Sequence, residues 1–237
     1  MNLNNRDKEA KENGKIHHYD QERAKMLSKL EQSDLLVYED DRYFVLNKPY
    51  DIQIDGYRPC TLLSLLRRFR TYPPPVHFCN QLDYATSGLI LLAKDSFAAR
   101  AAHNLFENRK VQKRYQALVW GHVVQEQYID HPLDVHSSHT QVSLEGKDSL
   151  SYVQPMAQGY YDGKEASLVE LRPHTGRRHQ LRVHLTSLGH GIIGDVTYGC
   201  SERYPRMMLH AFMLQLPEPV SLSVSISVPF GVETIGV

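Results

Sequence analysis

Asp83 lies in the polar turn Asn80-Gln81-Leu82-Asp83-Tyr84-Ala85-Thr86-Ser87-Gly88, between the apolar runs Val76 to Cys79 and Leu89 to Ala93. A carboxylate held between two strands that face a core is costly unless a cation or hydrogen bonds compensate it. Two readings stay open on the turn alone: an aspartate bonding its own backbone before Gly88, or a carboxylate with a reaction to perform. The segment Leu171 to His184, LRPHTGRRHQLRVH, offers cations at Arg172, Arg177, Arg178 and Arg182 with no acid among them. Its pattern predicts a helix from about Arg178 to Leu188, with Arg178 and Arg182 on one face. If that face meets the Asp83 turn, one of the two supplies the missing cation. Gly176 would then permit a close approach or a positive-φ turn into the helix.

A further basic stretch runs Arg109, Lys110, Lys113, Arg114 and leads into Tyr115, with Glu107 the nearby acid. With the Leu171–His184 arginines and Arg67, Arg68 and Arg70, it can form a face that follows phosphates. The competing reading is an ordinary solvated surface. His174, His179, His184 and His190 do not have the spacing of a zinc finger or of HExxH, so no metal is expected. Ser87 is not in a GxSxG elbow, which counts against a serine hydrolase.

The elements that must hold these residues are read from pattern. Residues 1 to 33 are polar and mixed in charge; Gln21 to Leu30 can form a short helix with little apolar surface, so a mobile tail or lightly attached arm is expected, with the main domain over 34–237. Strands are expected at Leu35–Tyr38, Tyr43–Leu46, Tyr115–Val124, Tyr152–Met156, Ala166–Leu171, Met207–Leu216 and Leu222–Val228, besides the two apolar runs flanking Asp83. Amphipathic helices are expected over Thr61–Arg70, ended by Pro73-Pro74-Pro75, and from a Ser96 cap to about Asn108. Asp134 to Ser151 reads as a hairpin or long loop. Strands outnumber helices without regular alternation. That implies an α+β fold with a mixed, mostly antiparallel sheet, flanking helices and a cleft across it.

The 237 residues carry 27 Lys plus Arg against 27 Asp plus Glu, so no global charge draws the chain to nucleic acid and only local clusters can. Cys60, Cys79 and Cys200 fit neither a disulfide framework nor zinc spacing, which points to a reducing compartment. No apolar run is long enough to cross a membrane, and the N-terminus lacks the layout of a signal or transit peptide. Cytosol is the default, with nucleus and organelle matrix left open, and a monomer is expected.

Taken together, three stretches resemble the RluA-type RNA pseudouridine synthases. QLDYATSGLILLAKD is similar to their HRLDxxTSG motif, KRYQALVWG to their tyrosine motif, and LRPHTGRRHQLRVHLTSLGHGIIGDVTYG to their arginine-bearing motif. LNKP at Leu46–Pro49 and RMMLHA at Arg206–Ala211 are smaller echoes. The pattern is most like that of the eukaryotic RNA pseudouridylate synthase domain-containing proteins, and the resemblance covers roughly Leu35 to Val228.

The resemblance implies the pseudouridine synthase fold; some members carry a separate S4 RNA-binding domain, and the tail here is too short and too polar to be one. It implies isomerisation of uridine to its C-glycoside in a transfer or ribosomal RNA, without metal or cofactor. By the same resemblance Asp83 acts on the sugar of a flipped-out uridine, Arg182 pairs with it, and Tyr115 stacks on the uracil. Leu181 lines the base pocket, and Gln81, Leu82, Thr86, Arg177, Arg178 and His179 join it around the substrate. Arg109, Lys110 and Lys113 follow the RNA backbone. The family usually has His-Arg where this chain has Asn80-Gln81. Gln81 is shorter and neutral, so a preference for uridines in loops over paired stems is expected. The rival reading is a catalytically silent RNA-binding protein that keeps the fold.

Overall fold

The structure is a computed structural model and describes residues 21–56, 60–69, 75–137, 139–199 and 204–236. Arg70, Pro73, Pro74 and Cys200 lie outside the described residues, as does the first part of the expected N-terminal tail. Five α-helices are described, α1 (residues 21–27), α2 (Gln32–Leu35), α3 (Leu62–Phe69), α4 (Ser96–Glu107) and α5 (Gln180–Ser187), with a short 3-10 turn at Val232–Thr234. The first strands are β1 (Leu36–Glu39), β2 (Tyr43–Lys48), β3 (His77–Phe78), β4 (Ser87–Ala93), β5 (Gln112–Trp120) and β6 (Gln127–Ile129). The rest are β7 (Leu133–Asp134), β8 (Gln141–Val142), β9 (Ser151–Tyr161), β10 (Lys164–Pro173), β11 (Leu209–Leu216) and β12 (Leu222–Ser225).

Ten strands form one sheet in the order β1-β2-β4-β11-β5-β10-β9-β6, with β12 pairing β11 and β3 pairing β4. β4 and β11 run parallel, and the other paired strands of this sheet are antiparallel. The fold is α+β. Among the described residues, no helix is long and apolar enough to cross a membrane.

β4 is apolar from Gly88 onward because both of its faces are covered, and every residue from Ser87 to Ala93 is buried. Strand alternation then divides the core. Val45, Leu89 and Leu91 share one cluster with Ala98 and Ala102 of α4. Phe44, Leu46, Ile90 and Leu92 point the other way, to Leu62, Leu65 and Leu66 of α3 and Leu27 of α1. A third cluster joins Leu181 and Leu185 of α5 to Ala117, Val119 and Val169 of β5 and β10.

Several expectations need correction. Residues 21–30 are docked rather than lightly attached. Leu27 is buried, Arg23 donates to the Tyr50 carbonyl at 2.7 Å, and Arg68 donates to the carbonyls of Ser28 and Leu30. Arg68 therefore ties down this segment instead of facing phosphate. Asp95, not Ser96, caps α4: its backbone is extended and its carboxylate accepts from Ala98 N at 2.8 Å. β5 starts at Gln112 and ends at Trp120, because Gly121 turns the chain with φ 75°. β12 ends at Ser225, three residues short of the expected end, and β9 and β10 form a longer hairpin than the pattern suggested. The segment after Asp134 contributes the small β7–β8 pair.

Gly88 is required where β4 meets β11. Its φ is 117°, and a Cβ there would lie 2.2 Å from the Ala211 carbonyl oxygen. Gly163 also has positive φ, at 72°, but a Cβ would meet nothing within 4 Å. Gly88→Ala is expected to lose at least about 3 kcal/mol, from backbone strain plus overpacking, and Gly163→Ala about 1 kcal/mol from strain alone. Denaturant unfolding of both variants checks this. Equal losses would show that the close approach carries no cost.

Candidate active site

The Asp83 turn is fixed from below by Lys48, the last residue of β2. Its ammonium is fully buried and donates to the carbonyls of Ile52 and Pro49 at 3.0 Å and of Tyr84 at 3.1 Å. Burial pushes its pKa down to about 7, against the pull of Asp51 and Asp83. The side chain of Asn80 accepts from Leu91 N at 2.7 Å and ties the turn to β4. Asp83 thus sits on a braced loop with a quarter of its side chain exposed.

Arg182, on α5, brings its Nη1 to 3.2 Å from Asp83 Oδ2. The same guanidinium makes a two-pronged contact with Asp195, at 2.7 Å from Nε and 2.8 Å from Nη2. Asp195 is almost wholly buried, and its Oδ1 also accepts from the backbone N–H groups of Thr197 and Tyr198. Burial alone would disfavour the Arg182 charge. The Asp195 hydrogen bonds and the charges of Asp195 and Asp83 outweigh it and raise the pKa. The Tyr198 ring lies 5.0 Å from the guanidinium. Asp195 and Tyr198, which hold Arg182 and His179 in place, have no assigned part in the sequence reading. Their signal was the GDVTYG end of the third motif.

His179 precedes α5 with φ 54° and ψ 18°, a left-handed conformation uncommon for a residue with a side chain. Its Nδ1 is 2.7 Å from the Tyr198 hydroxyl, and its Nε2 is 3.8 Å from Asp83 Oδ1. Burial lowers its pKa, while the Asp83 charge pulls upward and Arg182 and Arg178 push down, so the ring is neutral at neutral pH. The helix thus begins at Gln180 and not at Arg178. Arg178 shares no helical face with Arg182 and is exposed. Gly176 does not have positive φ either; the unusual turn falls on His179.

These groups open on a cleft of about 490 Å³. Tyr115 and Lys113, two residues apart on β5 and so on one face, line it. Gln81, Leu82, Asp83, Thr86, Arg109, Arg177, His179, Leu181 and Arg182 line it as well. Arg178 and Lys110 do not, and Lys110 instead borders a separate depression beside α4. Burial, followed by the Asp83 charge, raises the Tyr115 pKa, so its hydroxyl stays protonated. Burial lowers the pKa of Lys113.

The four histidines of the arginine-bearing segment are dispersed. His174 is at the cleft rim, His184 meets Ser151 at 3.0 Å, and His190 meets the Trp120 carbonyl at 2.9 Å. Among the described residues, no three His, Cys, Asp or Glu side chains come together as a metal-binding group.

Behind the turn, His210 of β11 is buried, with Nδ1 2.7 Å from Ser87 Oγ. Burial and then the Arg206 charge push its pKa down to about 4. The unfolded chain takes up a proton near pH 6.5, which the folded chain refuses until about pH 4. Stability is therefore full above that upper pH and falls as the pH drops toward the lower one, by on the order of 3 kcal/mol. Denaturant unfolding from pH 7 to pH 4 tests this. His210→Gln is expected to show a shallower acid slope, and an unchanged slope would refute the assignment.

A sequence profile described as RNA pseudouridylate synthase matches residues 42–187. The mouse RNA pseudouridylate synthase domain-containing protein 1 is 39% identical over 207 residues, 77% of this chain and 67% of the relative. The chain thus spans about two thirds of that protein's length. The dual-specificity RNA pseudouridine synthase RluA of Vibrio parahaemolyticus is 36% identical over 196 residues, 78% of each chain. A solved structure of human RNA pseudouridylate synthase domain containing 1 superposes with a TM-score of 0.76 at 36% identity, covering 84% of this chain and 85% of that one.

Proposed function

Because the chain belongs to the RNA pseudouridylate synthase family, we propose that it isomerises uridine to pseudouridine in a structured transfer or ribosomal RNA, with Asp83 acting on the ribose. The observation that carries this reading is the pairing of Asp83 with Arg182 inside a cleft that Tyr115 also lines.

In this reaction the N1–C1′ bond breaks, the C5–C1′ bond forms, C5 loses a proton and N1 gains one. No external reductant or oxidant is consumed. A flipped-out uridine enters the cleft with its ribose toward Asp83, and Arg182 keeps that carboxylate ionised and aimed. Asp83 then attacks C1′ or removes the C2′ proton, either of which frees the uracil to turn and present C5. The Tyr115 ring offers a stacking surface while that happens. Its raised pKa makes it a hydrogen-bond donor rather than a phenolate base. Leu181 supplies an apolar wall, and Arg109, Lys113 and Arg177 at the cleft supply charge for phosphates.

Gln81 stands where the family usually has arginine, and this favours the second reading, a silent RNA-binding protein. One measurement separates the two. Bulk RNA carrying C5-tritiated uridine is expected to release tritium to water when incubated with the protein. RNA binding without release would leave the silent reading.

A further inference from the structure

The sheet carries a row of side chains that the reaction does not use. Tyr128 of β6 lies directly opposite Tyr152 of β9, and Tyr152 lies directly opposite Arg172 of β10. Directly paired residues share a face, so the three form one line across three strands. Their neighbours Ser151, Val153 and Leu171 are buried on the other side. The two tyrosine rings are 5.0 Å apart, and the Arg172 guanidinium is 5.2 Å from the Tyr152 ring. Hydrogen bonds hold the row: Tyr152 OH donates to Glu126 at 2.6 Å, and Arg172 donates to Glu170 at 2.7 Å and Gln154 at 3.0 Å. Tyr128 is nevertheless 63% exposed, a large ring that the core does not require.

The row is continuous with the cleft. His174, two residues beyond Arg172, lines the cleft and has its ring 5.9 Å from that of Tyr128. We propose that Tyr128, Tyr152, Arg172 and His174 form a stacking platform for an unpaired nucleotide flanking the target uridine in the same RNA. This rests on the reading that the chain modifies RNA. Bases stack on exposed aromatic rings and guanidinium planes, and a sheet face with neighbouring rings is a common way to present them. The local charge is modestly positive. Glu170 is answered by both Arg172 and Arg114, the latter at 3.6 Å, and Arg177 on the same cleft rim stands against the Glu126 carboxylate that Tyr152 bonds. Three strands span roughly 10 Å, room for one or two bases.

The test uses the full chain and two readouts. The first is binding of a short single-stranded oligouridine carrying one 2-aminopurine, whose fluorescence falls when it stacks. The second is tritium release from bulk transfer RNA. Tyr128→Ala is expected to raise Kd and KM by roughly ten- to a hundredfold while leaving kcat unchanged and the protein fully folded at the assay temperature, with the unfolding midpoint only modestly lowered by loss of the Tyr152 contact. Tyr128→Trp should keep wild-type affinity, and the quenching seen with wild type should disappear in Tyr128→Ala. Wild-type Kd and quenching in Tyr128→Ala would overturn the platform, and so would failure of the wild-type protein to bind either RNA. If the wild type binds but releases no tritium, the catalytic reading fails, and the Kd difference still decides the platform.

Discussion

Asp83→Asn is expected to lower tritium release by roughly 10⁴-fold or more while leaving RNA affinity within a few-fold. Asparagine keeps the size of the side chain and an oxygen that can accept from Arg182. It loses the negative charge, the basicity and the nucleophilicity that either route at the sugar demands. Binding should survive because the cations and stacking surfaces that meet RNA are elsewhere on the cleft. The fold should survive as well, since Arg182 keeps both of its bonds to Asp195. The measurement pairs single-turnover pseudouridine formation with a binding isotherm on the same RNA. Turnover near the wild-type rate would remove Asp83 from the mechanism.

Arg182→Met should act on both catalysis and stability. It leaves Asp195, with 1% of its side chain exposed, as a buried charge without its cation. Breaking one side of such a pair costs about 3–5 kcal/mol. Asp83 suffers less in energy, because a quarter of it is in solvent, but it loses the group that aims it. The rescue is therefore expected to be asymmetric. Adding Asp195→Asn should recover much of the lost stability, while adding Asp83→Asn should recover little, and neither should restore turnover. Double-mutant cycles from denaturant unfolding measure both couplings. A larger coupling to Asp83 than to Asp195 would refute this asymmetry.

The site was legible in the sequence where its logic is local. A carboxylate between two apolar runs must find a cation, and the acid-free segment offers Arg178 or Arg182; the family resemblance singles out Arg182, which lies 3.2 Å from Asp83. What was not legible depends on tertiary contact. Asp195 follows Arg182 by 13 residues, beyond the reach of any helical spacing rule, and it meets Arg182 only because the chain returns after Gly194. Arg178 was grouped with Arg182 by helical spacing, and the left-handed backbone of His179 breaks that spacing. The N-terminal segment looked too polar to dock. Leu27 and the arginine–carbonyl bonds hold it, and neither gives a periodic signal.

The position of β11 also dictates when the site can exist during synthesis. Asp83 lies in the turn that leads into β4 and Tyr115 lies on β5, yet these two strands do not pair with each other; β11 is inserted between them. Until residue 209 has left the ribosome, the aspartate half and the tyrosine half present two unfilled sheet edges facing one gap. A nascent chain stalled or cut before that point holds most of the cleft residues, but its two halves meet through contacts such as Arg182 to Asp83 without the strand that joins them in the sheet. It also leaves Ser87 and Gly88 without their β11 partners, a short open stretch of edge, since β3, Cys79 and Asn80 already cover Leu91 to Ala93. Assembly of the cleft is thereby coupled to completion of the sheet.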